Sequence, residues 1–156
     1  MSLTDLIQII CGLLGSFGFA ILYNIRGKKL IFASLGGFMS WALFVVFSKF
    51  INNEPICYLL VAVLISVYSE IFARVLKTPT TTFIIVSLIP LIPGGSLYYT
   101  MSSAFSGDVT SFLSKAVITV ELASALAIGI IVVTALAQVF NKITQSRDVN
   151  KNNEKR

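Results

Sequence analysis

Two carboxylates stand inside long apolar runs of this sequence, Glu70 and Glu121. Ser66, Glu70 and Arg74 recur at spacing four and therefore share one helical face. Glutamate ahead of arginine at i,i+4 is the favourable order for a pair. Counted from Ile56, Glu70 lies 14 residues into its run, about 21 Å deep at 1.5 Å per residue. That leaves it roughly 9 Å from the inner edge of a ~30 Å hydrocarbon core. A charge at that depth is costly without a partner, and Arg74 can supply one or extend to the inner surface. An anchoring ion pair and a functional gate are both consistent with this. Glu121 lies five residues past Ala116, about 7 Å below the outer boundary. No basic residue is within one helical turn of it, although Lys115 can reach it from above. Low dielectric disfavours a charged carboxyl, which suits a proton carrier or a ligand for a substrate amine. The plainer reading is a carboxyl facing an aqueous outer vestibule.

A third feature is a set of backbone breakers. In "SLIPLIPGGSLYYT", Ser87–Thr100, the residues Pro90, Pro93, Gly94 and Gly95 fall close together in apolar surroundings. Proline removes a backbone donor and clashes with the preceding turn, and glycine weakens a helix by about 1 kcal/mol relative to alanine. Irregular backbone in mid-membrane is tolerated only within protein or beside a water-filled cavity, and discontinuous helices at that depth recur in transporter substrate sites. A helix restarting at Pro93 would present free N–H groups and a partial positive charge, for which a carboxylate is a natural guest. Ser96, Tyr98, Tyr99 and Thr100 add hydroxyls on the next turn. The substrate-binding set expected here is Pro90, Pro93, Gly94, Gly95, Ser96 and Tyr99. Glu121, Glu70 and Arg74 are expected to serve proton coupling or gating. A plain proline kink is the simpler alternative, but two prolines and two glycines exceed what a kink needs.

The elements that must position these residues are membrane helices. The 156-residue chain is 56% hydrophobic and 12% charged, with a mean hydropathy of +0.87. Those values exclude an ordinary soluble domain. Five runs approach the roughly 20 apolar residues that a crossing requires: Leu3–Tyr23, Leu30–Phe50, Ile56–Val75, Thr82–Met101 and Ala116–Phe140. They are too long and lack the period-2 alternation of barrel strands. The fold class is therefore an all-α integral membrane protein, a bundle of about five transmembrane helices with the fourth broken at Pro90–Gly95. Residues 1–140 form the membrane domain and 141–156 a polar, basic tail expected to be disordered. Asp108 is expected to cap the last helix, which then runs about 30 residues, roughly 45 Å.

Charge sets the orientation. Ten of the twelve Lys and Arg residues fall on one side, in the turns around Arg26 and Arg74 and in the tail; only Lys49 and Lys115 fall on the other. The ten mark the cytoplasmic side, which places the N-terminus outside and the C-terminus inside. This topology accounts for the net charge of +5 without nucleic-acid binding. The start "MSLTDL" is acidic, so no cleavable signal peptide is expected. The sequence contains no histidine, which removes Ser-His-Asp, Cys-His and His-ligated zinc chemistry. No catalytic set, metal site or cofactor is expected. Cys11 and Cys57 form no CxxC; small buried apolar residues are the commoner reading, a disulfide the alternative. Gly12, Gly15 and Gly18, Ala33 with Gly37, Gly36 with Ser40, Ala123 with Ala127, and Ala125 with Gly129 are spaced to let helix backbones approach closely.

Two segments carry a family resemblance. "GFAILYNI", Gly18–Ile25, followed by a basic turn, looks like the end of the first span in the threonine/serine exporter family. "TPTTTFIIVSLIPLIPGGSLYYTM", Thr78–Met101, is similar to that family's Thr-rich inner turn followed by a P-x-x-P-G helix, matched here by Pro90, Pro93 and Gly94. The chain resembles the small subunit of the two-component form, which is related to bacterial succinate exporters, over its whole length up to the polar tail. The resemblance implies a bacterial inner-membrane exporter of serine, threonine or a small dicarboxylate, coupled to the proton gradient. It also implies a larger membrane subunit as partner. A homo-oligomer is the other assembly considered, and membrane lipid is a partner in either case. The rival functions are a non-transporting scaffold subunit, a channel and, least well supported by the residues, an intramembrane lipid enzyme.

Overall fold

The computed structural model describes residues 3–153, with side chains described up to residue 143. Every regular element among them is helical: α1 Leu3–Leu22, α2 Lys28–Phe50, α3 Glu54–Val75, α4 Thr80–Leu88, α5 Gly94–Phe105 and α6 Val109–Asn153, with a short 3-10 turn at Ile89–Leu91 between α4 and α5. Four helices are long and apolar enough to cross a bilayer, namely α1, α2, α3 and α6 through Ile143, and α4 with α5 makes a fifth span if the bent pair is counted as one. The chain is a multi-pass membrane protein.

Local chemistry sets the helix ends. Asn53 accepts a hydrogen bond from the Ile56 N–H at 3.2 Å, and Pro55 occupies the first turn of α3, where its missing donor costs nothing. The turns after α1 and α3 close alike. Asn24 and Lys77 have positive φ, 55° and 48°, and each is followed by an N–H that returns to the helix: Ile25 to the Ala20 carbonyl and Thr78 to the Ala73 carbonyl, both at 2.9 Å. These are left-handed helix caps that satisfy carbonyls otherwise left open.

α4 is the central element. It packs against α1, α2 and α3, while α3 also packs on α6, and α5 packs on α6. Around the break, Leu88 and Leu91 join Val61 and Ile65 of α3 and Leu122 and Leu126 of α6 in one core cluster. A second cluster, toward the turns after α1 and α3, holds Ala20, Ile25, Ala33, Ala73, Phe83 and Val86. Glycine makes these approaches close enough. A Cβ on Gly36 would overlap the Ser87 side chain, and one on Gly37 would overlap Ser16. One on Gly129 would stand 2.7 Å from the Ala62 Cβ and 3.1 Å from the Leu59 carbonyl. In lipid, where apolar burial between helices gives little, such contacts supply the packing energy. Gly15 and Gly18 play no such part, since a Cβ there would meet nothing within 4 Å.

Two sequence expectations are corrected. The stretch from Asn141, expected to be disordered, continues α6 as helix to Asn153, because no Gly or Pro intervenes to stop it; residues 154–156 lie outside the described part. α6 therefore has 45 residues rather than about 30, or roughly 68 Å at 1.5 Å each. The cysteines are both free, Cys11 exposed and Cys57 buried, so the disulfide alternative falls away.

Candidate functional site

The break has a defined geometry. The α4 helix gives way to the 3-10 turn at Ile89–Leu91, which carries Pro90 in its first turn, and α5 restarts at Gly94 with Pro93 as its N-cap residue. The two halves are bent by 58°. Pro93 has no side-chain donor or acceptor, and no side-chain hydrogen bond caps α5. The Gly94 N–H turns back to the Ile92 carbonyl at 2.6 Å, and the first bond of the new helix runs from the Leu97 N–H to the Pro93 carbonyl at 3.0 Å. The N–H groups of Gly95 and Ser96 thus precede the first intrahelical bond, as at any helix start. A Cβ on Gly94 or Gly95 would meet nothing within 4 Å. The space beside this helix start is open.

Of the predicted binding residues, Pro90, Ser96 and Tyr99 line cavities, two different ones, and Pro93, Gly94 and Gly95 line neither. Pro90 lines one of about 250 Å³ with Gln8, Cys11, Gly12 and Trp41, between α1 and α2. Ser96 and Tyr99 line another of about 180 Å³ with Lys115 and Ile118, between α5 and α6. Lys115 is the residue that sequence reasoning left out of the site. Its Nζ donates to the Ser103 hydroxyl at 2.9 Å and lies 5.9 Å from the centre of the Tyr99 ring. Ser103 in turn donates to the Tyr99 carbonyl at 3.0 Å. One turn along, Thr100 and Thr119 share a hydroxyl–hydroxyl contact of 3.0 Å. The available signal was the pairing of a cationic helix end with a Ser- and Tyr-bearing one across the short loop Ser106–Asp108.

Neither glutamate faces this cavity. Thr119 and Glu121 are two residues apart, about 200° around the α6 axis, so the side of α6 that meets α5 is not the side that carries Glu121. Glu121 is exposed, in an open groove of about 600 Å³ that also holds Asn52, Asn53, Glu54 and Ser124. Glu70 and Arg74 line a second groove of about 430 Å³, with Val67, Val132 and Leu136 among its apolar walls. Both grooves follow the seam between α3 and α6, one toward each end. The two glutamates are thus brought to one seam and kept apart from the break.

Glu70 is held firmly. Its carboxylate takes Arg74 Nη2 at 3.1 Å and the Thr80 hydroxyl at 2.7 Å. The first residue of α4 is thereby tied to α3, beside the turn that joins them. Asp5 and Lys49 form a second ion pair at 2.7 Å, joining the start of α1 to the end of α2. In the loop between α5 and α6, the Asp108 carboxyl is held below the usual carboxylate range, first by the Ser111 hydroxyl at 2.6 Å and then by the Ser111 backbone N–H. It is the expected cap of α6.

Searches of curated proteins and of solved structures find no match to this chain. Residues 8–136 match the threonine/serine exporter (ThrE) family. That span takes in most of α1, all of α2 to α5 and most of the apolar part of α6, including the break with both prolines, and the match covers well over half of the sequence. With its membrane helices and its interrupted fourth span, the chain belongs to the threonine/serine exporter family.

Proposed function

We propose that this chain is a subunit of a bacterial inner-membrane exporter of small carboxylate metabolites, threonine and serine or dicarboxylates such as succinate. It works with a larger membrane subunit and draws on the proton gradient. The observation that carries this reading is the uncapped, open start of α5 within an interrupted span. A fixed partial positive charge there meets a carboxylate without a mobile counter-ion. Pro90 and Pro93 hold the interruption, and Gly94 and Gly95 keep the approach clear. The N-terminus lies outside and the C-terminus in the cytoplasm, following the Lys and Arg bias. Glu121 at the outer end of the α3–α6 seam, and Glu70 with Arg74 at its inner end, are candidates for proton coupling or gating.

The test is efflux of preloaded threonine, serine and succinate from cells lacking their own exporters, with this chain alone and with the larger subunit. Gly94→Leu is the informative variant, because the site has room for the side chain. Expected is insertion at wild-type levels with efflux lost, and likewise for Pro93→Ala. Normal efflux from both variants would remove the break from the mechanism. Glu121→Gln is expected to abolish the pH dependence of export, and an unaltered pH profile would take Glu121 out of the coupling step.

One observation favours a second reading. Glu121, with Glu54 beside it, lies in an exposed groove of an otherwise apolar helix pair, where facing lipid is costly. A non-transporting subunit that docks its partner along α3 and α6 fits that arrangement. It would tolerate Gly94→Leu and lose complex formation on changes along the seam.

A further inference from the structure

We infer that Lys115 forms, with Ser96 and Tyr99, a binding site for the carboxylate end of a small organic acid between α5 and α6. The inference rests on the exporter reading for its biological use, but its geometry stands apart from it. Lys115 is half-buried and takes part in neither ion pair among the described residues, Asp5–Lys49 and Glu70–Arg74; the Asp108 carboxylate feels its charge but is bonded to the Ser111 hydroxyl and N–H instead. An ammonium has three donors, and only one of them is occupied, by Ser103. Ser103 is 5% exposed and relays its own proton to the Tyr99 carbonyl, so the lysine is held in place by a fully engaged hydroxyl. The neighbouring hydroxyls are satisfied as well: Thr100 donates to the Ser96 carbonyl, and Thr119 to the Lys115 carbonyl, both at 2.8 Å. The Ser96 hydroxyl and the Tyr99 phenol have no hydrogen-bond partner among the described residues. They line the same cavity as the lysine.

Every polar side chain in that cavity is a cation or a hydroxyl, and none is an acid. The site therefore selects an anion. Its volume of about 180 Å³ equals some six waters at roughly 30 Å³ each, enough for a three- or four-carbon acid and too small for a peptide. A carboxylate seated there takes two charge-assisted bonds from Lys115 and a hydroxyl bond from Ser96 or Tyr99. Nothing in the cavity pairs with an ammonium, so the amine of an amino acid, or the second carboxylate of a diacid, lies outside it. A lipid phosphate has similar acceptor chemistry and is the competing occupant.

Lysine footprinting of the full chain in phosphatidylcholine vesicles tests this. The fraction of Lys115 acylated by a small amine-selective ester is read by mass spectrometry, with Lys49 and Lys77 as internal controls. L-Threonine, L-serine and succinate are compared with L-threoninamide, which lacks the carboxylate charge. Expected is saturable protection of Lys115, about threefold or more, by the carboxylates and none by the amide, weakened by Ser96→Ala. Loss of charge-assisted bonds is worth about tenfold or more in affinity. In efflux assays Lys115→Met should thus raise the threonine KM at least about tenfold with kcat little changed, and Lys115→Arg should restore most of it. No protection by any carboxylate overturns the site, even where wild-type efflux is intact. Protection without efflux supports the site and removes the exporter reading. If anionic phospholipid shields Lys115, neutral detergent frees it and no solute alters either, then the cation serves a lipid phosphate and the proposal fails.

Discussion

Glu70 shows how one side chain can tie two spans together. Its side chain is 17% exposed, whereas that of Arg74 is 45% exposed. Exposed pairs contribute about 0–1 kcal/mol, but a half-buried carboxylate that loses a neutral donor loses about 1–2 kcal/mol. Thr80→Val should therefore destabilise the purified protein more than Arg74→Ala does, measured as thermal unfolding in one detergent. The reverse order would assign the anchoring role to the ion pair. Asp108 gives a pH prediction with a definite sign. Its folded value is depressed by the Ser111 hydroxyl and N–H, so its stabilising effect is complete above the ordinary carboxylate value of about 3.9 and is lost as the pH falls through the lower folded value. Amide exchange at Ser111–Leu113 should stay protected down to about pH 4 and rise below it. Asp108→Ala should remove that dependence.

Among the helices, close packing depends on glycines that sequence spacing alone does not distinguish. Gly36 and Gly15 both stand at small-residue spacing in apolar runs. A Cβ on Gly36 would run into Ser87, while one on Gly15 would meet open space. Gly36→Val should separate α2 from α4 and cost about 1–3 kcal/mol, the usual range for overpacking. Gly15→Val should be close to neutral. Thermal unfolding of the two variants checks this, and equal effects would contradict the α2–α4 contact. The interrupted span follows from similar constraints. α4 is embedded among α1, α2 and α3, so its backbone can end in mid-bundle without exposing polar groups to lipid. α5 leans on α6, and the 58° bend sets its start against α6 at the level of the core leucines.

The topology can be checked in intact cells. In a Cys11→Ser background, Ser106→Cys should react with a membrane-impermeant maleimide, and Thr81→Cys should react only after permeabilisation. The opposite pattern would invert the orientation drawn from Lys and Arg. The all-helical class, the five apolar runs, the break at Pro90–Gly95 and the Asp108 cap were legible because each depends on local chemistry: hydropathy over about 20 residues, proline without a donor, glycine without a side chain, and an aspartate three residues ahead of the N–H it accepts. The Glu70–Arg74 pair was legible for the same reason, being four residues apart on one helix. What lies around each site was not. Spacing put Pro90, Ser96 and Tyr99 in one expected site, and the bend turned them toward different cavities. Lys115 and Glu121 stand about 120° apart on α6 by spacing alone, and the rotation of α6 decided that Lys115 meets α5 while Glu121 lies on the α3 seam. Lys115 met Ser96 and Tyr99 only because α5 folds back antiparallel to α6. Membership of an element is written in consecutive residues, and the chain alone determined it. The partners across elements depend on crossing angle, rotation and the few ångströms that Gly36, Gly37 and Gly129 leave free, so those were fixed only when the helices packed.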